Sequence, residues 1–191
     1  MFHLIKVIKI LISLQIIIIS TFIPIITFIP FTNQFIQTFD MPISWQIPSI
    51  VLITLILKRE VVLIAFSIYL FIGIFFLPVF HNGGSLGYLL TPNFGYLLGI
   101  YPLIIIIDKL NKLNHKINNY NLIKNGVLGI CSMHFIGIFY TLIQILLFQE
   151  PEMFFYNISK YSLGKFGYHL LMLIPVILLN KVINNKYIFR K

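Results

Sequence analysis

Charge is scarce in this chain of 191 residues, and negative charge is scarcest. Five Asp and Glu stand against fourteen Lys and Arg, and charged residues make up 10% of the whole. Soluble domains carry about a quarter. With 59% hydrophobic residues and a mean hydropathy of +0.95, an aqueous globular fold is excluded. The chain reads as an integral membrane protein, a single transmembrane domain over residues 1–191 with no room for a second domain of comparable size.

Other shortages exclude chemistry. The lone cysteine, Cys131, rules out an intramolecular disulfide. The apolar runs contain no acidic residue, so they hold neither a carboxylate proton relay nor the acid that completes a Ser or Cys nucleophile set. His3, His81, His115, His134 and His169 form no His-Glu-x-x-His pair, and Cys131 with His134 is a solitary Cys-x-x-His inside an apolar run. His134 is read as a helix-to-helix hydrogen bond. No Gly-x-x-x-x-Gly-Lys-Ser/Thr occurs, so the chain does not hydrolyse nucleotides itself. No catalytic residue, metal or cofactor is expected, and the protein is not expected to be an enzyme. The net charge of +9 does not point to nucleic acid, because the cations flank apolar runs rather than forming one patch.

What is present is a series of six apolar runs, at residues 10–29, 47–57, 61–77, 94–107, 127–148 and 166–183. At about 1.5 Å per residue, some twenty residues cross a hydrocarbon core of about 30 Å. The first run follows Lys6 and Lys9 but continues without a small-residue cleavage site, so it is read as a retained span, kinked by Pro24. The second is too short to span alone, and residues 41–46 are expected to dip inward and supply the missing depth. Residues 108–124 and 149–165 read as linkers. An all-α bundle of six transmembrane helices follows, with both termini cytoplasmic. That orientation puts Lys6, Lys9, Lys58, Arg59, Lys109, Lys112, Lys116, Lys124, Lys181, Lys186, Arg190 and Lys191 inside and only Lys160 and Lys165 outside, a strong positive-inside asymmetry.

Residues 77–99 hold five of the eleven glycines and two of the nine prolines but no Lys, Arg, Asp or Glu. Neutral Gly/Pro backbone between apolar runs is tolerated in a membrane where it lines a cavity. The topology brings this segment and residues 41–46 to one outer face, where an external solute arrives. Trp45, Phe80, Tyr88 and Tyr96 offer aromatic surfaces, or interfacial anchors. Gln46, Asn82 and Asn93 offer amide donors and acceptors, or partners for loop backbone. Gly84 stands among the glycines that let backbone approach a ligand.

Three motifs resemble the BioY family, the biotin-binding membrane components of energy-coupling-factor vitamin transporters. Met-Pro-Ile-Ser-Trp-Gln at residues 41–46 is similar to the family's Pro-x-Thr-x-Gln. Leu-Pro-Val-Phe at residues 77–80 precedes Gly83, Gly84 and Gly87. Leu-Thr-Pro-Asn-Phe-Gly-Tyr-Leu-Leu-Gly at residues 90–99 is close to Leu-Gly-Pro-x-x-Gly-Tyr-Leu-x-Gly, with Thr91 for a glycine. The resemblance implies biotin uptake across a bacterial inner membrane, a site built from loops and the outer ends of later helices, a membrane coupling subunit and cytoplasmic ATPases as partners, and no catalysis. Biotin's ureido ring suits neutral amides and its carboxylate wants a cation. The family's Gly-Asp-x-x-Lys at the last helix is replaced by Gly-Tyr-His-Leu-Leu at residues 167–171. That leaves Lys165, Lys160, His169 and His81 as carboxylate partners, and another small vitamin or a biotin precursor as an alternative ligand. The small-residue pattern for docking a coupling subunit is absent, Ala65 being the only alanine. A non-transporting membrane interaction subunit is the reading from a different class.

Overall fold

The computed structural model describes residues 2–29, 37–81, 83–114, 118–148 and 152–188. Helix α1 (Phe2–Phe22) leads into a two-stranded antiparallel hairpin of β1 (Pro24–Ile29) and β2 (Gln37–Ser44). Helices α2 (Gln46–Ile56) and α3 (Arg59–Phe75) follow, then an irregular segment with a 3-10 turn at Leu86–Leu90. Next come α4 (Pro92–Leu98) and α5 (Ile100–Leu113), which form one rod, and the long α6 (Asn119–Phe148). The last rod joins α7 (Met153–Ile158), a π turn (Ser159–Leu163), α8 (Gly164–Leu171) and α9 (Leu173–Ile188). Four stretches are long and apolar enough to cross a membrane, His3–Phe22, Pro92–Leu113, Asn119–Phe148 and Met153–Ile183. Helices α2 and α3 are the shorter members of a six-rod bundle.

The first helix ends seven residues before the expected bound. Pro24 has no N–H to continue the helical ladder, and it opens a strand rather than kinking a span. The hairpin is the one regular strand pair among the described residues. It is held to the last rod by Ile25, Ile43 and Met172, with Met41, Trp45 and Tyr168 packed around them. The linkers are shorter than expected for a similar local reason. Lys112 Nζ lies 2.8 Å from Asp108 Oδ2 one turn earlier, supporting α5 through Leu113. Asn118 Oδ1 accepts from Asn121 N at 2.8 Å and caps the start of α6. Asp108 therefore lies inside a helix, buried, with Arg59 Nε 3.8 Å away. Residues 153–165 are helical as well, where a loop was expected.

Lipid tails are as apolar as Leu, so helix association in a membrane relies on close packing more than on hydrophobic transfer. Glycines on α4, on α6 and at the junction of α4 with α5 provide it. A Cβ on Gly99 would fall 2.5 Å from the Met133 carbonyl oxygen, and one on Gly137 would enter the Tyr96 ring. A buried core including Phe66, Tyr69, Leu103, Ile104, Ile130 and Met133 runs between the rods.

Gly99→Ala should cost about 1–3 kcal/mol, as overpacking against backbone does, and lower the thermal midpoint of the detergent-purified protein. Gly167→Ala, whose Cβ would meet nothing within 4 Å, should be neutral or stabilise by up to about 1 kcal/mol through helix propensity. Equal midpoints for the two variants would contradict this packing.

Candidate binding cavity

The irregular segment after α3 is folded back onto the helix that precedes it. Phe80 and Gly83 exchange backbone hydrogen bonds of 2.9 and 3.0 Å, a tight turn that Gly83 enables at φ +111°. Ser85 N donates to the Gly73 carbonyl on α3 at 3.0 Å. The Phe80 ring covers the Cα of Gly73, and Gly84 sits so close that a Cβ there would lie 2.5 Å from the Gly73 oxygen. Buried Phe80 stacks edge-on to Tyr69 at 5.3 Å and tilts against Tyr88 at 4.6 Å. Tyr140 donates to the Leu89 carbonyl from α6, and Thr91 Oγ1 donates to the Tyr88 carbonyl at 2.8 Å. Freed loop carbonyls are thus met by side chains, from α6 at Leu89 and from the segment itself at Tyr88.

Beneath this loop and the hairpin lies a cavity of about 220 Å³, lined by Met41, Pro42, Ile43, Ser44 and Gln46 on one side and Phe80, His81, Tyr88, Asn93 and Tyr96 on another. Tyr161, Lys165 and His169 of the last rod and Ile100 and Met133 from the bundle complete it. The two neutral segments singled out in the sequence therefore wall the same space. Of the ten candidate site residues, Gln46, His81, Tyr88, Asn93, Tyr96, Lys165 and His169 face it. Asn82 lies outside the described residues. Gly84 packs against α3 instead, and Trp45 borders a separate surface groove with Ile16, Ile19 and Ile23. Lys160 is also off the cavity wall, beside the Tyr156 and Tyr161 rings at 5.4 and 5.3 Å.

The polar groups are organised in two sets. Gln46 Nε2 donates to the Tyr69 hydroxyl at 3.0 Å, and that hydroxyl lies 3.3 Å from Thr21 Oγ1 and donates to the Val79 carbonyl at 3.3 Å. On the other side, His134 Nδ1 contacts Ser162 Oγ at 2.9 Å and Nε2 contacts His169 Nδ1 at 3.1 Å. His134 thus makes the interhelical bonds expected of it. Tyr96 has no hydrogen bond of good geometry, although Ser162 and Thr141 stand beside its hydroxyl. Burial pushes the Tyr88 phenol up to about 12, so it is neutral at physiological pH, with the Asn93 amide beside it. Lys165 Nζ sits 5.4 Å from the Tyr161 ring centre, and no carboxylate lines the cavity among the described residues.

Sequence reading missed Tyr69, Tyr161 and Met133 as cavity walls, whereas Met41 and Pro42 lie in the 41–46 segment expected there. Tyr69 carried a usable signal, since a phenol in the middle of an apolar run needs a buried partner. Tyr161 carried none, because its segment was read as a loop.

Fold and cavity together define a multi-pass membrane protein built around a space the size of a small organic solute. Comparison makes this specific. The BioY family pattern matches residues 2–179, and the chain belongs to that family. A crystal structure of the S-component for biotin from an ECF-type ABC transporter has a similar fold, with a TM-score of 0.65 and 20% identity over 94% of this chain and 92% of that one. No curated protein matches the sequence.

Tyr69→Phe should leave the Gln46 amide and the Val79 carbonyl short of a partner and cost about 1–3 kcal/mol. A lowered thermal midpoint, with increased proteolysis between residues 77 and 91, is the expected readout; an unchanged midpoint would show that the hydroxyl holds nothing together.

Proposed function

We propose that this protein takes up biotin, acting as the substrate-binding membrane component of an energy-coupling-factor transporter. The observation that carries the reading is the cavity wall. Tyrosines and apolar side chains suit the faces of a small fused-ring ligand, and Gln46 and Asn93 suit a neutral ureido group. Lys165 supplies a cation for a carboxylate, and the cavity's freedom from acids among the described residues removes a source of repulsion. Membership of the BioY family and the likeness to a biotin S-component support the same reading. The task so defined is binding and translocation, with no catalytic step.

The partners and setting follow from that role. A membrane coupling subunit and cytoplasmic ATPases would supply the energy, in a bacterial inner membrane with both termini cytoplasmic. Ion pairs Lys6–Glu60, Arg59–Asp108 and Lys112–Asp108 gather at the end of the bundle away from the cavity, which suits a basic cytoplasmic face and an external site. The outward surface of α1 presents Leu4, Ile8, Leu11 and Ile12 rather than small residues, so a coupling subunit would meet a bulky aliphatic face there. Absence of the acid and lysine at residues 168 and 171 favours, as the second reading, a biotin precursor that shares the carboxylate.

Calorimetry on the purified protein should detect saturable biotin binding, and Lys165→Gln should weaken it about tenfold or more through loss of a charge-assisted contact. Pimelate and desthiobiotin as competitors separate the two readings. No binding of biotin or either competitor by folded protein would eliminate both.

A further inference from the structure

Helix α6 carries His134 past the cavity with both ring nitrogens engaged, Nδ1 by Ser162 of the π turn at 2.9 Å and Nε2 by His169 of α8 at 3.1 Å. All three side chains are buried, and the Phe166 and Tyr96 rings meet the His134 imidazole edge-on at 5.1 and 5.6 Å. Two imidazole nitrogens at this separation share one proton. Two protons would repel, and none would set lone pair against lone pair. The triad therefore has two arrangements. In one, Ser162 donates to His134, His134 donates to His169 Nδ1, and His169 carries its proton on Nε2. In the other every donor is reversed, and His169 Nε2 becomes an acceptor. His169 lines the cavity one helical turn from Lys165, which lines it too.

Resting on the reading of an anionic ligand in this cavity, we propose that His134 is a positioning residue for carboxylate recognition. It relays the hydrogen bonds from Ser162 so that, in one of the two arrangements, His169 offers an N–H beside the Lys165 ammonium. His169 and Lys165 then receive the carboxylate together, with one neutral donor and one cation, and Ser162 anchors the far end of the relay. The Ser162–His134–His169 set takes the place of a carboxylate in orienting the recognition group on the last rod. Because one tautomer donates and the other accepts, the set also discriminates. A carboxylate selects the donor form, whereas an ester, with weaker acceptors and no charge, gains little from it.

The test uses full-length protein in lipid nanodiscs, with biotin and biotin methyl ester as ligands. His134→Leu is expected to lower biotin affinity about tenfold to a hundredfold, the worth of a hydrogen bond to a charged group, while ester affinity stays near wild type. His134→Gln, whose amide donates from about the Nε2 position, should restore biotin affinity. Nitrogen NMR on histidine-labelled wild-type protein should show His169 protonated at Nε2 in the biotin complex, a readout that does not depend on any variant folding. The proposal is overturned if His134→Leu binds biotin as wild type does, if it weakens acid and ester equally, or if His169 Nε2 is unprotonated in the complex. Wild-type protein that binds neither ligand would sink the functional reading itself, and this inference with it.

Discussion

A backbone that leaves helical geometry inside a membrane must have its polar groups satisfied by protein, since lipid supplies no donor or acceptor. The Tyr69 hydroxyl is where this chain meets that constraint. It joins Thr21 of α1, Gln46 at the start of α2 and the Val79 carbonyl of the irregular segment, all within 3.3 Å. Three helices and a non-helical stretch are thereby tied at one atom. Phe80 and Tyr88 extend the contact as stacked rings, and Gly73 and Gly84 remove the bulk that would hold the segment off α3. The cavity exists because this segment can be kinked yet satisfied.

The same constraint explains what was legible in the sequence. Residues 77–99 stood out because Gly and Pro without charge are conspicuous between apolar runs, and they do wall the cavity. Gln46, Asn93 and Tyr96 were accessible by the same logic, as polar or aromatic groups at the ends of such runs. The hairpin was not. Residues 24–29 are rich in Ile and read as the tail of a span, and only Pro24 marked the change from helix to strand. The long last rod was hidden too, since Lys160 and Lys165 read as loop charges although the chain stays helical through the π turn. Helical extensions held by Asp108–Lys112 and by the Asn118 cap rest on pairings one turn apart, which a hydropathy pattern does not register.

Charge is divided between the two ends of the bundle. Lys6, Arg59 and Lys112 cluster with Glu60 and Asp108 at one end, where their pairing also joins α1, α3 and α5. At the other end Lys165 stands in a wall of tyrosines and amides. On the proposed function, a ligand carboxylate is the partner that this cation lacks among the described residues lining the cavity.

Low acid content, first met as a shortage, then bears on how such a site can be built. A lysine held by a neighbouring aspartate is oriented but partly neutralised, so a ligand carboxylate must compete with an internal one. Here orientation falls to uncharged groups. Tyr161 faces Lys165 with its ring, and His169 is held by His134, itself bonded to Ser162, with no carboxylate among the described residues lining the cavity. On the proposed function the full positive charge is left for a ligand carboxylate, at the expense of a more elaborate set of buried neutral hydrogen bonds. Such bonds are directional and fail together when one partner is lost, so on the proposed function specificity rests as much on the helix contacts behind the cavity as on the residues that line it.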